Sequence, residues 1–336
     1  MATLSSLPNE LLIYIFTLVA VDVHAGHVTT TLSPVSKHFN NLIQSSGVDV
    51  IYTPLRSFDK MRRFLGYIEG KDTSQKMVHS LLLVVAGNEH DDTAGPTPAL
   101  PVIQALLSTI DADASRLHTL FIHIPFCNGE APILQLPTSL PALTSLHLSG
   151  LIATSPPAGQ LYTPALTHLQ LLRLHKQSIQ YAKFSTLIHN LAPHATHLKL
   201  TLFAPQHALL QQLLRFHDTR IRIDTIEDPE YTPTSVSTNP FPSSLKQITG
   251  SFTCDTADRM SDTHYFSLLW QLCDETLVTL RRLGQKPPLV LMSQLPGDLD
   301  HVPGEGGKNG EEEVFLDCFV RTWVAISSGD EVPWSE

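Results

Sequence analysis

Charge is scarce in this 336-residue chain: Asp, Glu, Lys and Arg together make up 16%, against about 25% in an average soluble domain. Basic residues are scarcer still, 22 against 32 acids, for a net charge of −10. With no strip of Lys and Arg to offset that balance, the chain lacks the electrostatic footprint of a nucleic-acid binder. Cysteine is rare too: Cys127, Cys254, Cys273 and Cys318 stand far apart, with no C-x-x-C pair. This excludes a zinc knuckle or a disulfide framework, and the four read as small buried hydrophobes in a reducing compartment. Long apolar runs are missing. The longest, Leu11 to Val21, has eleven residues, where a membrane span needs about 20. Its flank, Met1 to Glu10, carries no positive charge and ends in an acid, so it does not read as a signal peptide. The expectation is a cytoplasmic or nuclear protein with no membrane partner.

Catalytic signatures are absent as well. There is no G-x-S-x-G elbow, no dinucleotide fingerprint after a strand, and no H-E-x-x-H among the 17 histidines. Gly304-Glu305-Gly306-Gly307-Lys308 resembles a phosphate loop only faintly. Asn309 stands where a hydroxyl residue is required, and Glu311, Glu312 and Glu313 would repel phosphate. The chain is expected to have no catalytic residue, no cofactor and no metal.

What the chain does have is apolar substance, 42% of its residues, enough for a sizeable core. Its acids gather at one end: residues 296–336 hold ten acids and two bases, a net of −8, leaving −2 for the first 295 residues. Stretches rich in Pro, Gly, Ser and Thr at 87–101, 153–164, 227–244 and 296–313 read as loops, the last as disordered. They divide the chain into a helical module (1–50), a connecting helix (51–76), a repeat domain (77–295), an acidic Gly-rich linker (296–313) and an amphipathic end (314–336). In that end, Phe315, Phe319 and Trp323 recur at spacing four, a helical face expected to pack on the last repeat.

The module opens with Ser5-Ser6-Leu7-Pro8-Asn9-Glu10, a helix start. Leu11, Leu12, Ile15, Phe16 and Val19 follow as one apolar face. Ser33-Pro34-Val35-Ser36-Lys37-His38-Phe39 begins a second helix. A third runs over 55–68 with Phe58, Met61, Leu65 and Ile68 to one side. The sequence from Leu7 to Phe16, joined to that from Leu32 to Ile43, resembles the F-box: Leu-Pro-x-Glu-Leu-Leu, an Ile-Phe pair, then Val-Ser-Lys-x-Phe. The resemblance covers about residues 4–45. It implies a helical module that docks on the Skp-type adaptor of a Skp–cullin–F-box ubiquitin ligase. Leu7, Pro8, Leu11, Leu12, Ile15, Phe16, Val35 and Phe39 are its candidate adaptor-binding residues. A module this small buries little of its own apolar surface, which is compatible with a helix-in-groove contact.

From residue 78 a frame recurs, apolar-x-x-apolar-x-apolar, with copies starting at Val78, Leu117, Leu143, Leu166, Ala195, Asp218 and Leu245. Helices are predicted between them at 99–110, 181–191 and 206–216. The intervals are similar to those of leucine-rich repeats, which implies an irregular solenoid of parallel strands alternating with helices, an α/β fold. The Asn usual in that family is replaced by Pro125, Leu151 and Leu174. Residues between the apolar positions would line one exposed face and hold a protein target: Phe121, His123, His147, His168, Gln170, His197, Lys199, Arg220 and Arg222. The function expected is therefore that of a substrate-recognition subunit. The alternative is a non-enzymatic repeat scaffold whose N-terminal helices cap the solenoid.

Overall fold

The computed structural model describes residues 7–21, 28–85, 99–111, 116–125, 132–136, 140–154, 163–174, 183–202, 207–225, 241–252, 262–292 and 308–330. The fold is α/β, with eight α-helices among the described residues and a parallel sheet whose strands alternate with them. The strands are β1 (Tyr52–Leu55), β2 (Ser80–Val84), β3 (Thr119–His123), β4 (Ile133–Gln135), β5 (Ser145–Ser149), β6 (Ile152–Thr154), β7 (His168–Leu174), β8 (His197–Leu202), β9 (Gln247–Phe252) and β10 (Leu289–Met292). Eight of them form one sheet in the order β1-β2-β3-β5-β7-β8-β9-β10, while β4 and β6 make a small parallel pair of their own. Each strand of the large sheet therefore neighbours the next one along the chain, with no reversal of order.

Period-two alternation sorts the side chains of this sheet. Leu81, Leu83, Leu120, Ile122, Leu146, Leu148, Leu169, Leu171, Leu198, Leu200, Ile248 and Leu289 enter one continuous core. Against it pack α3 (Phe58–Glu69), α4 (Ala99–Asp111), α5 (Phe184–Leu191), α6 (His207–Thr225) and α7 (Asp262–Arg282), through residues such as Met61, Ile103, Ile188, Leu213 and Leu269. These five helices lie on one side of the sheet. The outer side has a separate apolar cluster of Leu82, Val84, Phe121 and Leu172 with Phe315, Phe319 and Trp323 of α8 (Lys308–Ser328).

The repeat is stitched by backbone and side chain together. The N–H groups of Thr144, Thr167 and Thr196 donate to the carbonyls of His118, Thr144 and Thr167, respectively. Their hydroxyls donate to the same three carbonyls at 3.1, 3.3 and 3.1 Å. Threonine in the second position of three successive frames thus ties each strand to the one before it. Gly150 sits at φ +74° in the turn between β5 and β6, where an added Cβ would lie 2.1 Å from the Ile124 carbonyl oxygen; only glycine fits.

The N-terminal elements have a third core. In it, α1 (Asn9–Val21) and α2 (Lys37–Ser46) bury Leu12, Phe16, Phe39, Leu42 and Ile43 with Val28, Val48 and Ile51. The Phe16 and Phe39 rings meet edge to face, 5.2 Å apart, a favoured aromatic geometry. Ser36 caps α2, its hydroxyl accepting from the Phe39 N–H at 3.1 Å, and Gly47 closes the helix at φ +77°.

Several expectations need correction. The second helix begins at Lys37, after a turn holding Pro34, because Ser36 takes the cap position. The connecting segment is not wholly helical, since Tyr52–Leu55 is the edge strand β1, paired with β2. The copy starting at Asp218 is not a strand. No turn signal separates it from the preceding helical pattern, so α6 runs through to Thr225. Helix α7, which follows β9, has no counterpart in the sequence reading. The acidic linker is partly structured, since α8 starts at Lys308. Among the described residues, no helix is long and apolar enough to cross a membrane. Ser5 and Ser6, which open the predicted helix start, lie outside the described residues.

Candidate functional site

Two surfaces carry the candidate residues. The first is the exposed side of α1. The sequence pattern read as one apolar face is two faces back to back. Leu12 and Phe16 are fully buried in the module's own core, while Leu11, Tyr14 and Leu18 are 50%, 62% and 54% exposed. Spacings of three and four put Leu11, Tyr14 and Leu18 on one line, with the half-buried Ile15 beside them. Pro8 is exposed at the head of this line, and Val35 is 64% exposed in the turn before α2. Leu7 is half-buried against the module core.

Leu12, Phe16 and Phe39 therefore cannot offer their side chains to a partner, and their assignment to an adaptor contact is corrected: they support the surface from beneath. Pro8, Leu11, Ile15 and Val35 are placed where a partner could reach them. Tyr14 and Leu18 were missed. Their spacing from Leu11 was present in the sequence, but tyrosine and leucine on a helix do not say which way they point.

A buried ion pair fixes the module's base. Lys71 Nζ donates to the Gln44 carbonyl at 2.9 Å and pairs with Asp49 Oδ1 at 3.2 Å. It lies 4.8 Å from the centroid of the Tyr67 ring, and Tyr67 Oη donates to Asp49 Oδ2. Burial, and then the bond to Asp49, push the Tyr67 phenol above its usual range. Lys71 follows α3, Gln44 is in the last turn of α2, and Asp49 lies between α2 and β1, so the cluster clamps the module to the first strand–helix unit.

The second surface is the outer face of the sheet. Register places Leu82, Phe121, His147, Gln170, Lys199 and Thr249 in one row, and Ser80, Thr119, Ser145, His168, His197 and Gln247 in another. The two rows differ from end to end. Over β2 and β3 they are covered by α8, which buries Phe121 and His123, and His147 on β5 is buried beneath the Phe121 ring. Their expected place on an open face is corrected. The Phe121 ring stacks on His147 at 3.8 Å and meets Phe319 at 5.0 Å. His123 contacts Phe315 and Phe319 and bonds Ser149 Oγ through Nδ1 at 3.0 Å. Burial holds the His147 imidazole down at about 3, despite its bond with Gln170, so it is neutral. The helix meets β2 and β3 near the start of the sheet, and not the last repeat.

Toward β7 and β8 exposure is partial: His168, His197 and Lys199 are half-buried, while Gln170, Thr201, Thr249 and Ser251 are buried. The rings of His168 and His197 are stacked, 4.9 Å apart, and both side chains are half-buried. Each Nδ1 lies 2.9 Å from the hydroxyl of the preceding threonine, Thr167 or Thr196. Each hydroxyl has one proton: when it goes to the carbonyl, the imidazole donates from Nδ1 and Nε2 is the acceptor nitrogen. Burial lowers both histidines' proton affinity, helped by mutual repulsion at His168 and by Lys246 and Lys286 at His197. Gln170 is buried and Lys199 half-buried in the adjoining row. Arg220 is not in this surface. It projects from α6, and its Nη2 donates to the carbonyls of Ser243 and Leu245 at 2.9 and 2.5 Å, bracing the approach to β9. Arg222 is likewise a residue of α6 and not of a strand.

Among the described residues no three His, Cys, Asp or Glu side chains converge in a way that could hold a metal ion. No family model, curated protein or solved structure matches the chain.

Proposed function

We propose that this chain is the substrate-recognition subunit of a Skp–cullin–F-box ubiquitin ligase, built as an F-box-like module followed by an irregular leucine-rich-repeat solenoid. The observation that carries the reading is the two-sided α1. Its inner line, Leu12 and Phe16, closes a core with α2, and its outer line, Pro8, Leu11, Tyr14 and Leu18, is left uncovered. A helix that only capped a solenoid would turn its apolar residues to the sheet core, whereas α1 belongs to a cluster of its own. An uncovered aromatic and aliphatic line of this kind suits insertion into a groove on an adaptor. The solenoid reading draws its support from strands that are parallel and follow chain order, with five helices on one side.

In this reading the chain performs no chemistry. It brings a target close to subunits that do, a gain from proximity alone. The half-buried patch of His168, His197 and Lys199 on the outer sheet face holds the target. There, neutral imidazoles at His168 and His197 accept hydrogen bonds, and Lys199, Lys246 and Lys286 supply positive charge on an otherwise acidic chain.

The test is a binding measurement with purified Skp-type adaptor. Leu11→Asp/Leu18→Asp should weaken adaptor binding at least tenfold while leaving the unfolding transition where it is, because both side chains face solvent. Adaptor binding equal to that of the unaltered chain would end the ligase reading.

A further inference from the structure

Helix α8 occupies its place on the sheet in a manner unlike the five inner helices. The inner helices share one continuous core with the strands, built mainly of leucine and isoleucine with Phe184 and Phe216. The α8 seam is a separate cluster, so the main core is complete without it. Three aromatic side chains at i, i+4 and i+8, Phe315, Phe319 and Trp323, reach down onto Leu82, Val84, Phe121 and Leu172.

Polar groups are interleaved with these contacts. His123 and His147 are buried in the sheet rows beneath, and the Ser80 and Ser327 hydroxyls meet at 2.6 Å. The Arg173 guanidinium lies 4.4 Å from the centroid of the Phe315 ring. Arg173 itself has φ +55°, at the irregularity where the β7–β8 register shifts, a backbone conformation that non-glycine residues adopt only under constraint. Trp323 Nε1 is buried and meets no acceptor among the described residues, a deficit that a phenylalanine in its place would not have. The seam thus has the chemistry of an interface between separate bodies more than that of a domain interior.

We propose that the outer face around Leu82, Val84, Phe121 and Leu172 is a binding surface for an amphipathic partner helix with aromatic side chains at i, i+4 and i+8, and that α8 is its resident, displaceable occupant. Seated, α8 covers Leu82, Val84, Phe121 and Leu172. Displaced, it would join that patch to the half-buried His168–His197 pair. The proposal stands apart from the adaptor reading, since it concerns a different surface and is tested without adaptor.

The experiment uses the full chain and a fluorescein-labelled peptide of residues 308–328 as the probe. In a Cys318→Ser background, Ser80→Cys/Ser327→Cys introduces a disulfide across the seam, where the two hydroxyls are already within the reach of such a bond. The reduced protein should bind the peptide, and oxidation should weaken binding at least tenfold. Phe319→Asp in the full chain should strengthen peptide binding at least tenfold, because the tethered helix no longer competes. In the unaltered protein, hydrogen exchange should find the α8 amides opening at least a hundredfold more often than those of β5. Equal peptide binding by the oxidised and reduced forms would overturn the proposal. So would α8 amides as protected as those of β5, a readout that holds even if Phe319→Asp does not fold.

Discussion

The two faces of the large sheet are made by the same strands yet differ in kind. The inner face is a run of leucine and isoleucine at alternate positions, repeated strand after strand, and it meets five helices. The outer face changes along its rows, from Leu82 and Phe121 through His147 and Gln170 to Lys199 and Thr249. Repetition suits a core, because each strand has the same task of excluding water. Variation suits recognition, because a partner is identified by what differs from place to place. The contrast locates stability on one side of the sheet and specificity on the other.

The largest expected effect lies on the inner face. Leu146 is fully buried in the continuous core, so Leu146→Ala should cost about 2–5 kcal/mol of global stability in urea unfolding. A cost near zero would mean that the inner face is not the stabilising one.

Acid acts next, and on the outer face. His147 is held at about 3 by burial, below its ordinary value of about 6.5. Its stabilising contribution is therefore complete above pH 6.5 and is lost as pH falls toward 3, because the exposed imidazole binds a proton that the buried one refuses. The groups around it are Phe121 on β3 and His168, Gln170 and Lys199 on β7 and β8. The α8 charges Glu313, Asp317 and Arg321 are exposed. His168 is itself depressed and works in the same direction. Between pH 7 and pH 5 global stability should fall by an amount on the order of 2 kcal/mol. Urea unfolding at the two pH values would check this; stability that rises on acidification contradicts it.

Phe319→Ala should lower global stability by less than the roughly 3–5 kcal/mol usual for a buried phenylalanine, since α8 can leave before the sheet unfolds. A full-sized loss in the main transition would show the two faces to be one cooperative unit. The smallest effect belongs to the threonine ladder. Thr167→Val removes the hydroxyl that bonds both the Thr144 carbonyl and His168 Nδ1. It should cost about 0.5–1.5 kcal/mol and raise the fraction of His168 in the other tautomer, visible in imidazole nitrogen chemical shifts.

Much of the sheet was legible before any coordinates. The frames beginning at Val78, Leu117, Leu143, Leu166, Ala195 and Leu245 each contain a strand of the large sheet, and His168 pairs with His197 as the shared frame position implied. The frame at Asp218 misled because Ile221 and Ile223 satisfy it while also continuing the helical pattern from Leu209 to Phe216. Strand β1 was hidden by Pro54 and by its brevity. On α1, Leu11 and Leu12 look alike in sequence. Only the position of Phe39 and Ile43 makes one inward and the other outward.

The repeating alternation that makes strands, the spacing that makes helices and the threonines that tie one strand to the next are local, written within a few residues of where they act. What covers an apolar face is not local. Phe319 meets Phe121 across some 200 residues of chain, and nothing near either one encodes the meeting. Periodicity reports that a face is greasy; the shape and chemistry of distant surfaces settle what it touches.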